Sequence, residues 1–207
     1  MKGQAALDLG LLDFRIDGLQ YANQKRWQGK SVTTVCPLDY FSSPAKDELF
    51  AKVGDNSEKR TIEPICGSID QDIAGTAQGV WFTKGTPEDP MSTHPEDPHL
   101  ALVHDNVDYA QPVFSIGNSL QKSGLEAGRY YYTPKNSGYV DRDFGDVTPG
   151  NIYCFDKIKD NFYPDPLGFI IIIEMPSETT LKIERQEKTS CGNGPWEFAS
   201  NYSEFER

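Results

Sequence analysis

Between residues 61 and 120 the chain carries one lysine or arginine against nine aspartates and glutamates. A phosphate backbone would be repelled by such a segment, so nucleic acid is excluded as the expected partner. The rest is closer to balance, with nine cations against eight anions in residues 1–60 and ten against fourteen in 121–207. The middle segment therefore supplies most of the net charge of −11. Such a surface suits multivalent cations or basic partners, and also serves solubility alone.

Long apolar runs are missing too. The longest candidate, residues 169–173, falls far short of the ~20 residues that span a bilayer, so no membrane span is expected. Met1-Lys2-Gly3-Gln4 leads into no apolar signal-peptide core. Cysteine is sparse, with four residues and no Cys-x-x-Cys, so zinc-ribbon and thioredoxin-type sites are excluded. No Gly-x-Ser-x-Gly, His-Glu-x-x-His or phosphate-cradling glycine loop occurs.

The four cysteines are Cys36, Cys66, Cys154 and Cys191. Three disulfide pairings are open, besides four buried thiols. Neighbours in sequence tend to be neighbours in a meandering β protein, which favours Cys36–Cys66 with Cys154–Cys191. Oxidised cysteines imply an extracellular or periplasmic location. On that reading Met1 begins a trimmed chain.

The length of 207 residues suits one domain, with residues 1–60 either part of it or an appendage. Residues 1–60 are expected to form N-terminal strands, over 5–16 and 31–36, plus a short helix over 44–53. Ser43 would cap that helix, Pro44 would start it and Gly54 would stop it. Residues 61–207 read as an antiparallel β domain. Expected strands are 76–83, 99–105, 112–116, 128–133, 151–155, 168–175, 179–186 and 195–199. Thr180-Leu181-Lys182-Ile183-Glu184 alternates as a half-buried strand should, whereas 169–173 is apolar throughout, as if covered on both faces. The fold class is mainly β, an antiparallel barrel or sandwich with one short helix. Four prolines within residues 86–98 make that stretch a loop.

Two stretches resemble known proteins. Thr61-Ile62-Glu63-Pro64-Ile65-Cys66-Gly67, then Gln71-Asp72-Ile73-Ala74-Gly75-Thr76-Ala77-Gln78-Gly79-Val80-Trp81-Phe82, are similar to a set of uncharacterised bacterial exported proteins. Residues 99–108 and Asn151-Ile152-Tyr153-Cys154 extend the likeness over about 60–200. It implies export and a β-rich fold, and no activity. Ala6-Leu7-Asp8-Leu9-Gly10-Leu11-Leu12-Asp13 resembles a late strand of lysostaphin-type zinc metallopeptidases. Ala6 and Asp8 stand where that family has histidines, so its zinc site is absent.

Three constellations could carry chemistry. His99, His104, Asp105 and Asp108 combine imidazole and carboxylate, the donors of a zinc site or a proton relay. On a strand, His99 and Asp105 share one face and His104 takes the other, so a joint site needs a bulge. Asp105 to Asp108 also reads as a turn. Asp141, Asp143 and Asp146 could ligate calcium from a loop, although the EF-hand pattern fails at Gly145 and Ile152. Trp81 and Tyr131, with Asp108, could line a small-molecule or glycan site. The expected function is a non-enzymatic extracytoplasmic module binding a protein or ligand without cofactor. The alternative is a metal-dependent hydrolase of an extracellular polymer acting through His99, His104 and Asp105.

Overall fold

The computed structural model describes residues 9–27, 30–54, 59–60, 63–88, 99–160 and 165–207. Ala6 and Asp8, and most of the proline-rich loop, lie outside the described residues. The chain is mainly β, with antiparallel sheets and one sheet curled into a half-barrel.

A small unit comes first. β1 (Leu11–Leu12) pairs antiparallel with β2 (Thr34–Val35), which follows a single helical turn, α1 (Lys30–Thr33). The expected helix is α2 (Ala45–Phe50), shorter than the sequence suggested. Pro44 rather than Ser43 takes the cap position, and no side chain caps it.

The large sheet has nine strands. They are β3 (Gly79–Thr83), β4 (His99–His104), β5 (Pro112–Ile116), β6 (Gly128–Tyr131), β7 (Ile152–Phe155), β8 (Lys159–Asp160), β9 (Ile170–Ser177), β10 (Thr180–Gln186) and β11 (Ser203–Glu206). Their order is β7-β9-β10-β11-β3-β4-β5-β6-β8. The edge strands β7 and β8 are therefore separated by only three residues in sequence. Three residues reach at most about 14 Å between flanking Cα atoms, so the sheet must curl until its edges nearly meet. The seam is filled by the segment before β7. Asp141 N–H donates to Cys154 O, Cys154 N–H donates to Tyr139 O, and Lys135 N–H donates to Asp141 O.

Alternation decides what lies inside. Trp81, Leu100, Leu102, Phe114, Ile116, Tyr153, Phe155, Ile171, Ile173, Leu181, Ile183 and Phe205 belong to one buried core. Phe114 is its centre, with the rings of Phe144, Phe155 and Tyr132 at 4.8, 5.1 and 5.7 Å. The opposite faces of β7 and β9 build a second cluster from Cys154, Ile170, Ile172 and Cys191, roofed by Trp196 and Phe198. The apolar run is thus covered on both faces, as its composition implied.

Disulfides Cys36–Cys66 and Cys154–Cys191 are both formed. The second clips residues 187–201 over the outer face of the sheet, where Glu184 accepts Ala199 N–H. Residues 195–199, expected as a strand, form none. The strand is β11 instead, in which Ser203 and Phe205 point inward and Glu204 and Glu206 outward. Among the described residues no helix is long and apolar enough to cross a membrane.

Candidate functional site

In this curled antiparallel half-barrel the chain alternates between two rims. Residues 63–78, 105–111 and 132–151 gather at one rim; residues 117–127 and 187–202 gather at the other.

At the first rim, His104 ends β4 on the same face as Leu100 and Leu102. Its Nε2 lies 2.9 Å from Asp143 Oδ2. The backbone of His104 is held twice by one amide: Gln71 Oε1 accepts its N–H at 2.6 Å, and Gln71 Nε2 donates to its carbonyl at 3.2 Å. Gln78 Nε2 in turn donates to Gln71 O. Asp143 Oδ1 accepts Gly145 N–H at the start of a 3-10 turn. Burial pushes the Asp143 carboxyl up, but the hydrogen bonds from His104 and Gly145 outweigh it and leave it below its ordinary value. Beside this pair the Tyr109 ring sits 5.3 Å from the imidazole, and the buried Arg60 guanidinium lies 5.6 Å from Tyr109.

Arg207 closes the same rim. It is buried 4.2 Å over the Trp81 ring and donates to the carbonyls of Gln78, Ile73 and Thr76. Nearby, Asp72 accepts the N–H groups of Ala22 and Val80, so a half-buried carboxylate pins the N-terminal chain to the start of β3. Burial is the largest influence on Asp72 and raises its carboxyl above the usual range.

His99 and His104 do not converge. They stand at opposite ends of a six-residue strand, about 17 Å apart at ~3.4 Å per residue. His99 meets the Phe82 ring edge-on at 6.0 Å. Asp105 Oδ1 accepts the N–H groups of Val107 and Asp108, its Oδ2 accepts Tyr131 O–H, and Asp108 Oδ1 accepts Ala110 N–H. The turn reading of that stretch therefore describes its geometry.

The three aspartates proposed for calcium face three different side chains. Asp141 pairs with Lys135 at 2.6 Å, Asp143 with His104, and Asp146 with Arg142 at 2.5 Å. Among the described residues no group of three or more His, Cys, Asp or Glu side chains is arranged to hold a metal ion. Trp81 needs correction as a ligand residue: it is fully buried in the barrel core, and its Nε1 donates to Ala77 O. Tyr131 is on the outer face and reaches Asp105 instead.

Sequence reasoning missed Gln71, Gln78, Arg60 and Arg207, which come from loops and a terminal strand far from His104 in sequence. Only the pairing of an isolated histidine with one of many aspartates held a local hint.

No family model matches the chain, and no curated protein or solved structure is similar to it.

Proposed function

We propose that the protein is a non-enzymatic, extracytoplasmic binding module that engages a protein partner through its N-terminal unit. One observation carries this reading. Leu9, Phe14, Tyr40 and Phe41, four of the large apolar side chains left exposed, all belong to the β1–β2 unit and the turn after it. Phe14 is 76% exposed. Tyr40 O–H donates to Asp13, the residue before Phe14, which brings these aromatics to neighbouring positions. Clustered exposed aromatics mark interaction surfaces more often than isolated ones do. The unit is held in place by Cys36–Cys66, by Asp72, and by Arg26, which lies 4.6 Å over Phe82 and donates to Thr86 O and Pro87 O. A pinned platform presents such a patch without the ordering cost of a loose segment. Two disulfides support the extracytoplasmic setting.

The test is site-specific photo-crosslinking in the host that makes the protein. A photoreactive residue at Phe14 or Phe41 should trap one discrete partner, and the same residue at Glu187 should not. Equal labelling at all three positions, or none, would discard the reading. The alternative, a metal-dependent hydrolase acting through His99, His104 and Asp105, is decided by elemental analysis of the purified protein. Stoichiometric zinc lost on His104→Ala would favour the enzyme.

A further inference from the structure

At the second rim, far in the fold from the His104 loops, lies an open groove of about 360 Å³. It is lined by Thr83, Lys84, Ser119, Lys122, Ser200 and Tyr202, with Ser203 and Glu204 along its floor. Three separate pieces of chain build it: the end of β3, the 3-10 segment Asn118–Ser123, and the approach to β11. The floor is fixed by a buried hydrogen bond from Ser203 Oγ to Ser123 Oγ at 3.0 Å. Ser119 Oγ donates to His99 O, which leaves its lone pairs for another donor.

The charge of the groove runs against that of the chain. Glu204 is its one carboxylate, and Lys84 Nζ already neutralises it at 3.0 Å. Glu204 is also what raises the Lys84 ammonium above its ordinary value. Lys122 is left over: an exposed ammonium with no carboxylate within ion-pair distance among the described residues. On a protein of net charge −11, a recess with a surplus cation is a local positive focus. A bare oxyanion would occupy on the order of 60–90 Å³, two to three times a water's share of the liquid. The remaining volume is walled by hydroxyls and by the Tyr202 ring, which packs 5.6 Å from Phe198. Hydroxyl side chains exchange hydrogen bonds with a polyol, and an aromatic face packs on its C–H surface.

We propose that this groove binds an acidic sugar, a hexose-sized polyol bearing a carboxylate, sulfate or phosphate, with Lys122 as the anion contact and Ser119, Ser200 and Tyr202 facing the hydroxylated ring. The site is independent of the aromatic patch on the N-terminal unit, so either can fail without the other.

The test is calorimetric titration of the intact, oxidised protein with glucuronate, glucose 6-phosphate, glucose and inorganic phosphate. The two acidic sugars should bind saturably, and both neutral glucose and inorganic phosphate should bind at least about tenfold more weakly, the ratio that ~1.4 kcal/mol produces. Lys122→Glu should abolish binding of the acidic sugars with an unchanged melting midpoint, because Lys122 is exposed. Ser200→Ala should weaken them severalfold. The proposal falls if glucose binds as well as glucuronate, if inorganic phosphate binds as well as glucose 6-phosphate, or if Lys122→Glu leaves the affinities unchanged.

Discussion

His104 and Asp143, 39 residues apart in sequence, meet at 2.9 Å through Nε2 and Oδ2 across one rim of the barrel. The contact fastens the end of β4 to the segment that fills the barrel seam. Asp143→Asn should cost about 1–3 kcal/mol at neutral pH, the usual range for a hydrogen bond to a charged group. Because the folded carboxyl titrates below its unfolded value, its contribution is present above the ordinary carboxylate range and is lost as pH falls through the lower, folded value. Urea midpoints of the two proteins should therefore differ at pH 7 and converge below about pH 4. A gap that widens in acid would contradict the assignment.

Gly79→Ala should be strongly destabilising. Gly79 has φ +126°, and a Cβ there would lie 2.2 Å from Asp72 Oδ1 and 2.9 Å from Asp72 Cα. Strained backbone and a backbone clash add together, so a loss of about 2 kcal/mol or more is expected by chemical denaturation. Gly85, whose Cβ would meet nothing within 4 Å, supplies the control for the backbone component alone.

Phe114→Ala should remove about 3–5 kcal/mol, since the residue is fully buried among three other rings. Phe114→Leu should cost less, because it leaves a smaller cavity. Thermal melts of the two variants rank them directly.

Replacing Cys154 and Cys191 together by alanine should cost on the order of 3 kcal/mol from loop entropy. Amide exchange should rise in residues 187–201, which that bridge holds to the sheet, and far less in β3–β6. Uniform acceleration throughout would show that the bridge supports the whole barrel instead. Unreduced, denatured protein should titrate with no free thiol.

How far the sequence foretold these arrangements depended on range. Strands such as Pro112–Ile116 were legible because β-branched and aromatic residues alternate between turn formers. Both disulfides followed from chain proximity. Ser203–Glu206 escaped notice because two of its four residues are charged; its inward pair, Ser203 and Phe205, is too short a pattern to stand out. Pro195–Phe198 misled in the opposite way. Trp196 and Phe198 are apolar because they roof the second cluster, and no ladder holds them. The His104 surroundings were least legible. Strand parity separated the two histidines correctly, yet nothing local could say that Gln71, Asp143 and Arg60 would converge there, because tertiary closure alone unites them. Trp81 looked like a ligand platform for a related reason: composition does not distinguish an aromatic that faces the barrel core from one that faces water.

The strand order also dictates a sequence of events. β11 sits between β10 and β3, so it alone joins the β7–β9–β10 half of the sheet to the β3–β4–β5–β6–β8 half. Residues 203–206 are the last of the described strands to leave a ribosome. Until then the two halves have local hairpins to form, but no shared ladder. Closure must wait for a contact spanning more than a hundred residues, from Phe205 to Thr83. Topologies of that kind fold slowly and keep unpaired edges exposed in the meantime. For this protein the interval between synthesis of β10 and insertion of residues 203–206 is a period in which the two halves of the sheet are open to misassembly.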